Sequence, residues 1–148
     1  MAEERTVLFV DDDPIILRFF ERSFQDKPYN QLFTRSGPEA LEILKKEQVH
    51  VIVTDMCMPD MDGLELLKIV KEKYPRIVKI IISGYTDMPV LHDKFRKKEI
   101  FKFVYKPWKV DRSIFEPWKL EIDLKKTVQE AFDHYDLQSQ QEAVVQKN

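Results

Sequence analysis

The sequence predicts an α/β fold: a doubly wound, five-stranded parallel sheet with helices on both faces. Short apolar runs rich in β-branched residues alternate with segments whose apolar residues recur at helical spacing. This alternation is typical of β–α–β units, and because their crossovers are right-handed, helices cover both faces of the sheet. Of the 148 residues, 43% are hydrophobic and 34% are charged, which suits one domain with a real core.

The predicted strands are short apolar runs, as expected for strands that are buried on both faces. They cover residues 6–10, 29–34, 49–54, 77–82 and 100–105. The run at 29–34 has the weakest pattern of the five. Each of the other four is followed directly by a polar residue.

The predicted helices lie between these runs, and a last one follows them. Pro14 suits a first turn, Ser36 with Glu39 three residues later is typical of a helix start, and the third helix stops before Pro75. A fourth helix spans 88 to about 98. The apolar stripes of the other helices are Ile16, Phe19, Phe20 and Phe24; Ala40, Leu41 and Leu44; Leu64, Leu67 and Val70; and Leu124, Val128, Ala131, Phe132 and Tyr135.

Polar side chains stand where the predicted strands end. These are Asp11 and Asp12, Asp55, Ser83 and Lys106. In a parallel sheet the carboxyl ends of the strands meet at one edge, where ligands bind. Two carboxylates about 4 Å apart repel by roughly 4 kcal/mol at an effective dielectric constant of about 20, and one lysine does not offset three of them. The cluster therefore needs raised pKa values or a divalent cation, and hard oxygen ligands suit Mg²⁺.

This set of groups also fits phosphoryl chemistry. Mg²⁺ takes one or two carboxylates, which leaves one free to act as a nucleophile, as in aspartyl-phosphate formation. Ser83 and Lys106 would then contact phosphoryl oxygens. The alternative is that each acidic residue is only a solvated loop cap.

Composition and rare residue types exclude several classes. The 24 Lys and Arg residues against 26 Asp and Glu give a net charge of −2, which argues against nucleic-acid binding by a global positive field. Cys57 is the one cysteine, so no internal disulfide or multi-cysteine zinc site is expected, and the three glycines are too far apart for a Gly-rich nucleotide loop. No apolar run approaches the roughly 20 residues that span a bilayer and no signal peptide is visible, so a cytoplasmic location is expected.

Four motifs together resemble one known family. They are Val10-Asp-Asp-Asp-Pro14, Thr54-Asp-Met-Cys-Met-Pro-Asp-Met-Asp-Gly63, Ile82-Ser-Gly84 and Tyr105-Lys-Pro107. In this order they closely resemble the signature of response regulator receiver domains of two-component signalling. The resemblance covers residues 5 to about 108 and resumes in the last helix. It implies a flavodoxin-like sheet with strand order 2-1-3-4-5.

The resemblance also implies a role for each matching residue. Asp55 corresponds to the phosphoacceptor, and Asp11 and Asp12 to the acidic pair that holds Mg²⁺ together with Asp55 and the backbone carbonyl of Cys57. Ser83 corresponds to the switch hydroxyl and Lys106 to the phosphoryl-binding lysine. Phe103 corresponds to the aromatic residue that changes orientation on activation. Family members catalyse only their own phosphoryl transfer and hydrolysis.

The same resemblance implies the partners. A sensor histidine kinase or a phosphotransfer protein would supply the phosphoryl group. An output domain, a partner protein or a second copy of the chain would bind the face formed by the fourth helix, last strand and last helix. Neither a nucleic acid nor a membrane is expected to bind directly.

The segment after Lys106 departs from the family pattern. The Pro-Trp-Lys sequence at 107–109 recurs at 117–119, so about ten residues look inserted around 109–119. A receiver domain is expected over residues 1–136, with this insertion. Residues 137–148 are expected to be a C-terminal tail or the start of a linker helix.

Three other functions remain open from sequence, and one of them is a flavin-binding module on the same fold. A haloacid-dehalogenase-like phosphatase would use Asp11 and Asp13, but it needs a further acidic pair beyond another strand, and Asp111 follows Lys106 with no strand between. A pseudo-receiver would act as an interaction module independently of phosphorylation, and the intact acidic set argues against it.

Overall fold

The computed structural model describes residues 4–84, 88–106 and 117–147, in which five strands alternate with five helices. The strands are β1 Thr6–Val10, β2 Asn30–Thr34, β3 Val51–Asp55, β4 Val78–Ser83 and β5 Lys102–Tyr105. The helices are α1 Pro14–Ser23, α2 Gly37–Lys46, α3 Gly63–Lys73, α4 Met88–Arg96 and α5 Pro117–Lys147. Every predicted strand is present, with ends shifted by two residues or fewer.

The five strands form one parallel sheet in the order β2-β1-β3-β4-β5, which confirms the predicted fold class and strand order. The register places Val10 of β1 opposite Thr54 of β3, and Asp55 opposite Ile82 of β4. The carboxyl ends of the three central strands therefore lie level with one another.

Alternating side chains of the strands bury two separate cores. On the α1 and α5 side, Phe9 and Ile80 pack with Phe20 and Val128. On the α2, α3 and α4 side, the core is built around strand residues such as Ile52. Fully burying one such side chain contributes about 1.5–3 kcal/mol, so the two cores fix the sheet between its helices.

Side-chain caps define where three helices begin. The Asp13 carboxylate accepts a hydrogen bond from the Ile15 amide (2.9 Å), and the Asp62 carboxylate accepts one from the Glu65 amide (2.8 Å). Ser36 caps α2 as predicted, with its hydroxyl accepting from the Glu39 amide. Such caps satisfy amides that have no partner within the helix.

Helix α5 continues through residue 136 to Lys147 without a break. The domain boundary expected there stays a prediction, and residues 109–116 of the expected insertion lie outside the described residues. No helix in the described part of the chain has an apolar stretch long enough to cross a bilayer.

Candidate functional site

Three aspartates meet at the carboxyl edge of the sheet. One carboxylate oxygen from each of Asp11, Asp12 and Asp55 lies within 4.8 Å of the other two. The side chains of Asp11 and Asp55 are 0% and 1% exposed, whereas Asp12 is half-buried. Because β1 and β3 are neighbours in register, the residue after β1 comes beside the last residue of β3.

A fully buried lysine contacts two of these carboxylates. Lys106 Nζ lies 2.6 Å from Asp11 Oδ2 and 3.5 Å from Asp55 Oδ1, and its side chain is 0% exposed. The Lys106 amide donates to the Ser83 carbonyl oxygen at 2.7 Å, which ties the end of β5 to the end of β4. A charged group removed from water must be partnered, and the Lys106 ammonium partners both carboxylates.

Ser83 completes the set of side chains expected at this edge. It is the last residue of β4, one position beyond the residue opposite Asp55, and it is 1% exposed. Its hydroxyl donates to the Gly84 carbonyl oxygen at 3.0 Å. The edge therefore carries a hydroxyl that can exchange this local hydrogen bond for another acceptor.

The electrostatics of the site favour a divalent cation. Burial raises the pKa of Asp11 above its ordinary value, and the nearby Lys106 ammonium only partly opposes this shift. Three ionised carboxylates and one ammonium leave two negative charges uncompensated. The donor atoms are hard oxygens that lie close together, so Asp11, Asp12 and Asp55 fit Mg²⁺, which would supply the missing positive charge.

We expect Mg²⁺ to raise the melting temperature near pH 7, and Asp12→Asn to remove most of that gain. A ligand that binds only the folded state stabilises it by about 2.7 kcal/mol at a hundredfold excess over its Kd. Thermal denaturation with and without MgCl₂ measures the effect. An undiminished gain in the Asp12→Asn variant would contradict the metal assignment.

The pH dependence of this gain follows from the raised pKa of Asp11. The metal-free folded state binds the Asp11 proton more tightly than the unfolded chain does. That contribution to stability is therefore full below the unfolded pKa and is lost as the pH rises through the folded pKa. Mg²⁺ bound at Asp11 would compete with the same proton, so we expect its stabilising effect to be largest near neutral pH and to fade on acidification.

Asp13 and Cys57 are close to the three aspartates in sequence, and their surroundings differ. The Asp13 carboxylate caps α1, whereas the phosphatase alternative requires this carboxylate for catalysis. Cys57 is exposed, and the role of its backbone carbonyl as a metal ligand stays a prediction.

Phe103 lies half-buried on the α4 side of β5. Its ring meets the His92 ring edge to face at 5.0 Å between centroids and the Phe95 ring at 6.1 Å. Sequence reasoning did not identify these two contacts, because the spacing of residues on α4 does not show which of them reach β5. The predicted change in the orientation of Phe103 stays a prediction.

Gly63 is a further residue of the site whose role sequence reasoning missed. A Cβ atom at this position would lie 2.3 Å from the carbonyl oxygen of Asp55, and the Gly63 amide donates to the Met56 carbonyl oxygen at 2.8 Å. Glycine therefore lets the start of α3 pack directly against the end of β3. The sequence Met61-Asp-Gly63 shows that a glycine stands here, but it does not show that α3 approaches the end of β3 at this residue.

Comparison with known proteins agrees with this geometry. The family model described as the response regulator receiver domain matches residues 7–115. This match places the protein in the class of signalling modules of two-component systems. The chain belongs to the family of response regulator receiver domains.

Two transcriptional regulators are similar in sequence to part of this chain. It is 37% identical over 112 residues to the hydrogenase transcriptional regulatory protein HoxA of Cupriavidus necator, covering 76% of this chain and 23% of that protein. It is 32% identical over 112 residues to the DNA-binding transcriptional regulator NtrC of Proteus hauseri, covering 76% and 24%. The chain thus spans about a quarter of the length of these curated relatives.

Two solved structures show the likeness in three dimensions. A structure described as adenylate cyclase from Rhodopirellula baltica superposes with a TM-score of 0.84 at 26% identity, covering 99% of this chain and 100% of that one. The chemotaxis response regulator CheY4 of Vibrio cholerae gives a TM-score of 0.67 at 25% identity, covering 84% and 99%.

Proposed function

We propose that this receiver accepts a phosphoryl group on Asp55 from a histidine kinase or phosphotransfer protein, with Mg²⁺ as cofactor. The face formed by α4, β5 and α5 then signals to a partner protein, an output domain or a second copy of the chain. The observation that carries the proposal is the buried contact of Lys106 with both Asp11 and Asp55, beside the half-buried Asp12.

The transfer step uses the groups in these positions. An Asp55 carboxylate oxygen attacks phosphorus, an acyl phosphate forms, and the bond from phosphorus to the donor imidazole nitrogen breaks with its electron pair on nitrogen. Lys106, whose ammonium lies 3.5 Å from Asp55 Oδ1, would neutralise a phosphoryl oxygen. Asp11, Asp12, Asp55 and the Cys57 carbonyl would hold Mg²⁺, which supplies charge stabilisation for the transferred group. Attack of water on the same phosphorus returns Asp55 and releases phosphate.

The signalling step follows from the added charge. A phosphoryl group brings about −1.5 to −2 charges to the end of β3. The Ser83 hydroxyl, which donates to the Gly84 carbonyl, would turn to this stronger acceptor. Phe103 would then leave its contacts with His92 and Phe95 and repack behind Ser83, which changes the α4–β5–α5 face.

The names of the relatives bear on the output. HoxA and NtrC are transcriptional regulatory proteins, which supports a regulator of transcription as the partner or output of this receiver. A cytoplasmic location remains the expectation for such a signalling protein.

Titration with beryllium fluoride, which mimics a phosphoryl group, tests the proposal through amide NMR spectra. We expect beryllium fluoride to shift the amides of Asp55, Ser83 and Phe103 beyond the positions that Mg²⁺ alone gives them, and to do so only when Mg²⁺ is present. The amide of Arg22, at the far end of α1, serves as an internal control that stays in place. No shift at Asp55 beyond that caused by Mg²⁺ alone, with both components at saturating concentrations, would overturn the proposal.

A further inference from the structure

Helix α5 is longer than the sheet it covers. Its 31 residues span about 46 Å at 1.5 Å per residue, whereas a strand of five or six residues spans about 20 Å. Leu120, Leu124, Val128 and Phe132 bury the first half of the helix in the core on the α1 side. The remainder, residues 137–147, continues as helix beyond the last of these buried side chains.

A helical segment of this kind is weak without support. Isolated helices shorter than about 12–15 residues are marginal in water even with good helix formers. Residues 137–147 contain four glutamines, and Leu137 is 53% exposed. Their helical order therefore depends on how firmly the preceding turn is held.

That turn is held through the ring of Tyr135. The guanidinium groups of Arg5 and Arg76 both lie over it, at 5.3 Å and 5.4 Å from its centroid. The His50 ring meets it edge to face at 4.9 Å. Cation–π and edge-to-face contacts are both attractive, so three groups of the sheet edge fix this ring.

Hydrogen bonds extend the same contact on either side of the ring. Arg5 Nε donates to Asp136 Oδ1 at 2.9 Å, and Arg76 donates to the Ser139 hydroxyl. The Ser139 hydroxyl in turn donates to the Tyr135 carbonyl oxygen at 3.1 Å. This part of α5 is thus held at Tyr135, Asp136 and Ser139.

The groups that hold this turn come from one edge of the sheet. Arg5 precedes β1, His50 precedes β3 and Arg76 precedes β4, so all three lie at the amino ends of the central strands. The three aspartates lie at the opposite, carboxyl edge. The contacts on Tyr135 are therefore separate from the phosphoryl chemistry.

We infer that Arg5, His50 and Arg76 form a clamp on Tyr135, Asp136 and Ser139 that makes residues 137–147 move with the receiver as one rigid body. The clamp fixes the direction in which α5 leaves the sheet. It goes beyond the proposed function, since it would hold whether or not Asp55 accepts a phosphoryl group. If Asp55 accepts a phosphoryl group, a displacement of the first turns of α5 would be transmitted through the helix to residues 137–147.

Amide hydrogen exchange in Tyr135→Leu tests the clamp. Leucine has the higher helix propensity, so weaker protection would reflect lost contacts and not a poorer helix former. We expect the amides of residues 139–147 to exchange at least about tenfold faster than in the wild type, while those of β3 and β4 keep their protection. Phosphoryl uptake from acetyl phosphate should remain as in the wild type.

Two further variants keep the test decisive. Arg76→Gln changes an exposed side chain, and we expect a smaller acceleration confined to the same residues. Lys125→Gln removes an ion pair with Glu121 on α5 away from the clamp and should leave residues 139–147 unchanged. Unaltered exchange in both clamp variants, or equal acceleration in the Lys125 variant, would overturn the inference. If the wild-type protein takes up no phosphoryl group from acetyl phosphate, that result would count against the proposed function and not against the clamp.

Discussion

We expect Asp55→Asn to abolish phosphoryl uptake, and the wild-type protein to gain the mass of one phosphoryl group when it is incubated with acetyl phosphate and Mg²⁺. An amide oxygen is a far weaker nucleophile than a carboxylate, and the variant also removes one of the three carboxylates proposed to hold Mg²⁺. The fold should survive, because asparagine has nearly the same shape. Intact-protein mass spectrometry measures the adduct directly, and removal of Mg²⁺ should suppress it in the wild type.

The control is an acidic residue outside the site. Asp26 is exposed in the turn after α1, and Asp26→Asn should take up phosphoryl at the wild-type level. Full adduct formation by Asp55→Asn would contradict the assignment of the phosphoacceptor. Steady hydrolysis of a small phosphate ester that is lost in Asp11→Asn but kept in Asp55→Asn would favour the phosphatase alternative.

The position of the acidic site was predictable because it depends on topology alone. Once β1, β3, β4 and β5 are assigned as parallel strands, the residues that follow them must meet at one edge. Asp11, Asp55 and Lys106 are brought together in this way, although up to 95 residues separate them in sequence. No knowledge of individual side-chain contacts is needed for this step.

Features that depend on the approach of two elements were not predictable from spacing. The clamp on Tyr135 joins residues that precede three different strands, and nothing in their local sequence indicates that α5 passes beside them. The contact of His92 with Phe103 likewise requires the angle at which α4 lies on β5. Periodicity shows which face of a helix is apolar, but it does not show which residue of a neighbour that face meets.

Gly63→Ala is expected to lower the free energy of unfolding by about 1–3 kcal/mol, the usual cost of forcing extra atoms into a packed site. The added Cβ would lie 2.3 Å from the Asp55 carbonyl oxygen and 3.1 Å from the Met56 Cα. Both are backbone atoms of the segment that holds Asp55, so neither can give way by a side-chain rotation. Either α3 or the end of β3 must move.

Gly37→Ala is the matched control for this prediction. Gly37 begins α2 as Gly63 begins α3, and neither glycine has a positive φ. A Cβ at Gly37 would meet the Met61 side chain, with its Sδ at 2.6 Å. A methionine side chain is flexible and can move aside, so we expect stability to change by less than about 1 kcal/mol.

The pair of variants separates backbone packing at the site from the general effect of replacing a helix-initial glycine. Replacing glycine with alanine lowers the conformational entropy of the unfolded chain by a similar amount at both positions. This contribution to the free energy of unfolding therefore cancels when the two variants are compared. Urea denaturation gives the two free energies of unfolding, and phosphoryl uptake measured below the transition should be slowed only in Gly63→Ala, because only there does the Asp55 backbone shift. Equal stability and equal uptake in the two variants would mean that α3 can retreat from β3 without disturbing Asp55, and that the close approach at Gly63 does not set the position of this residue.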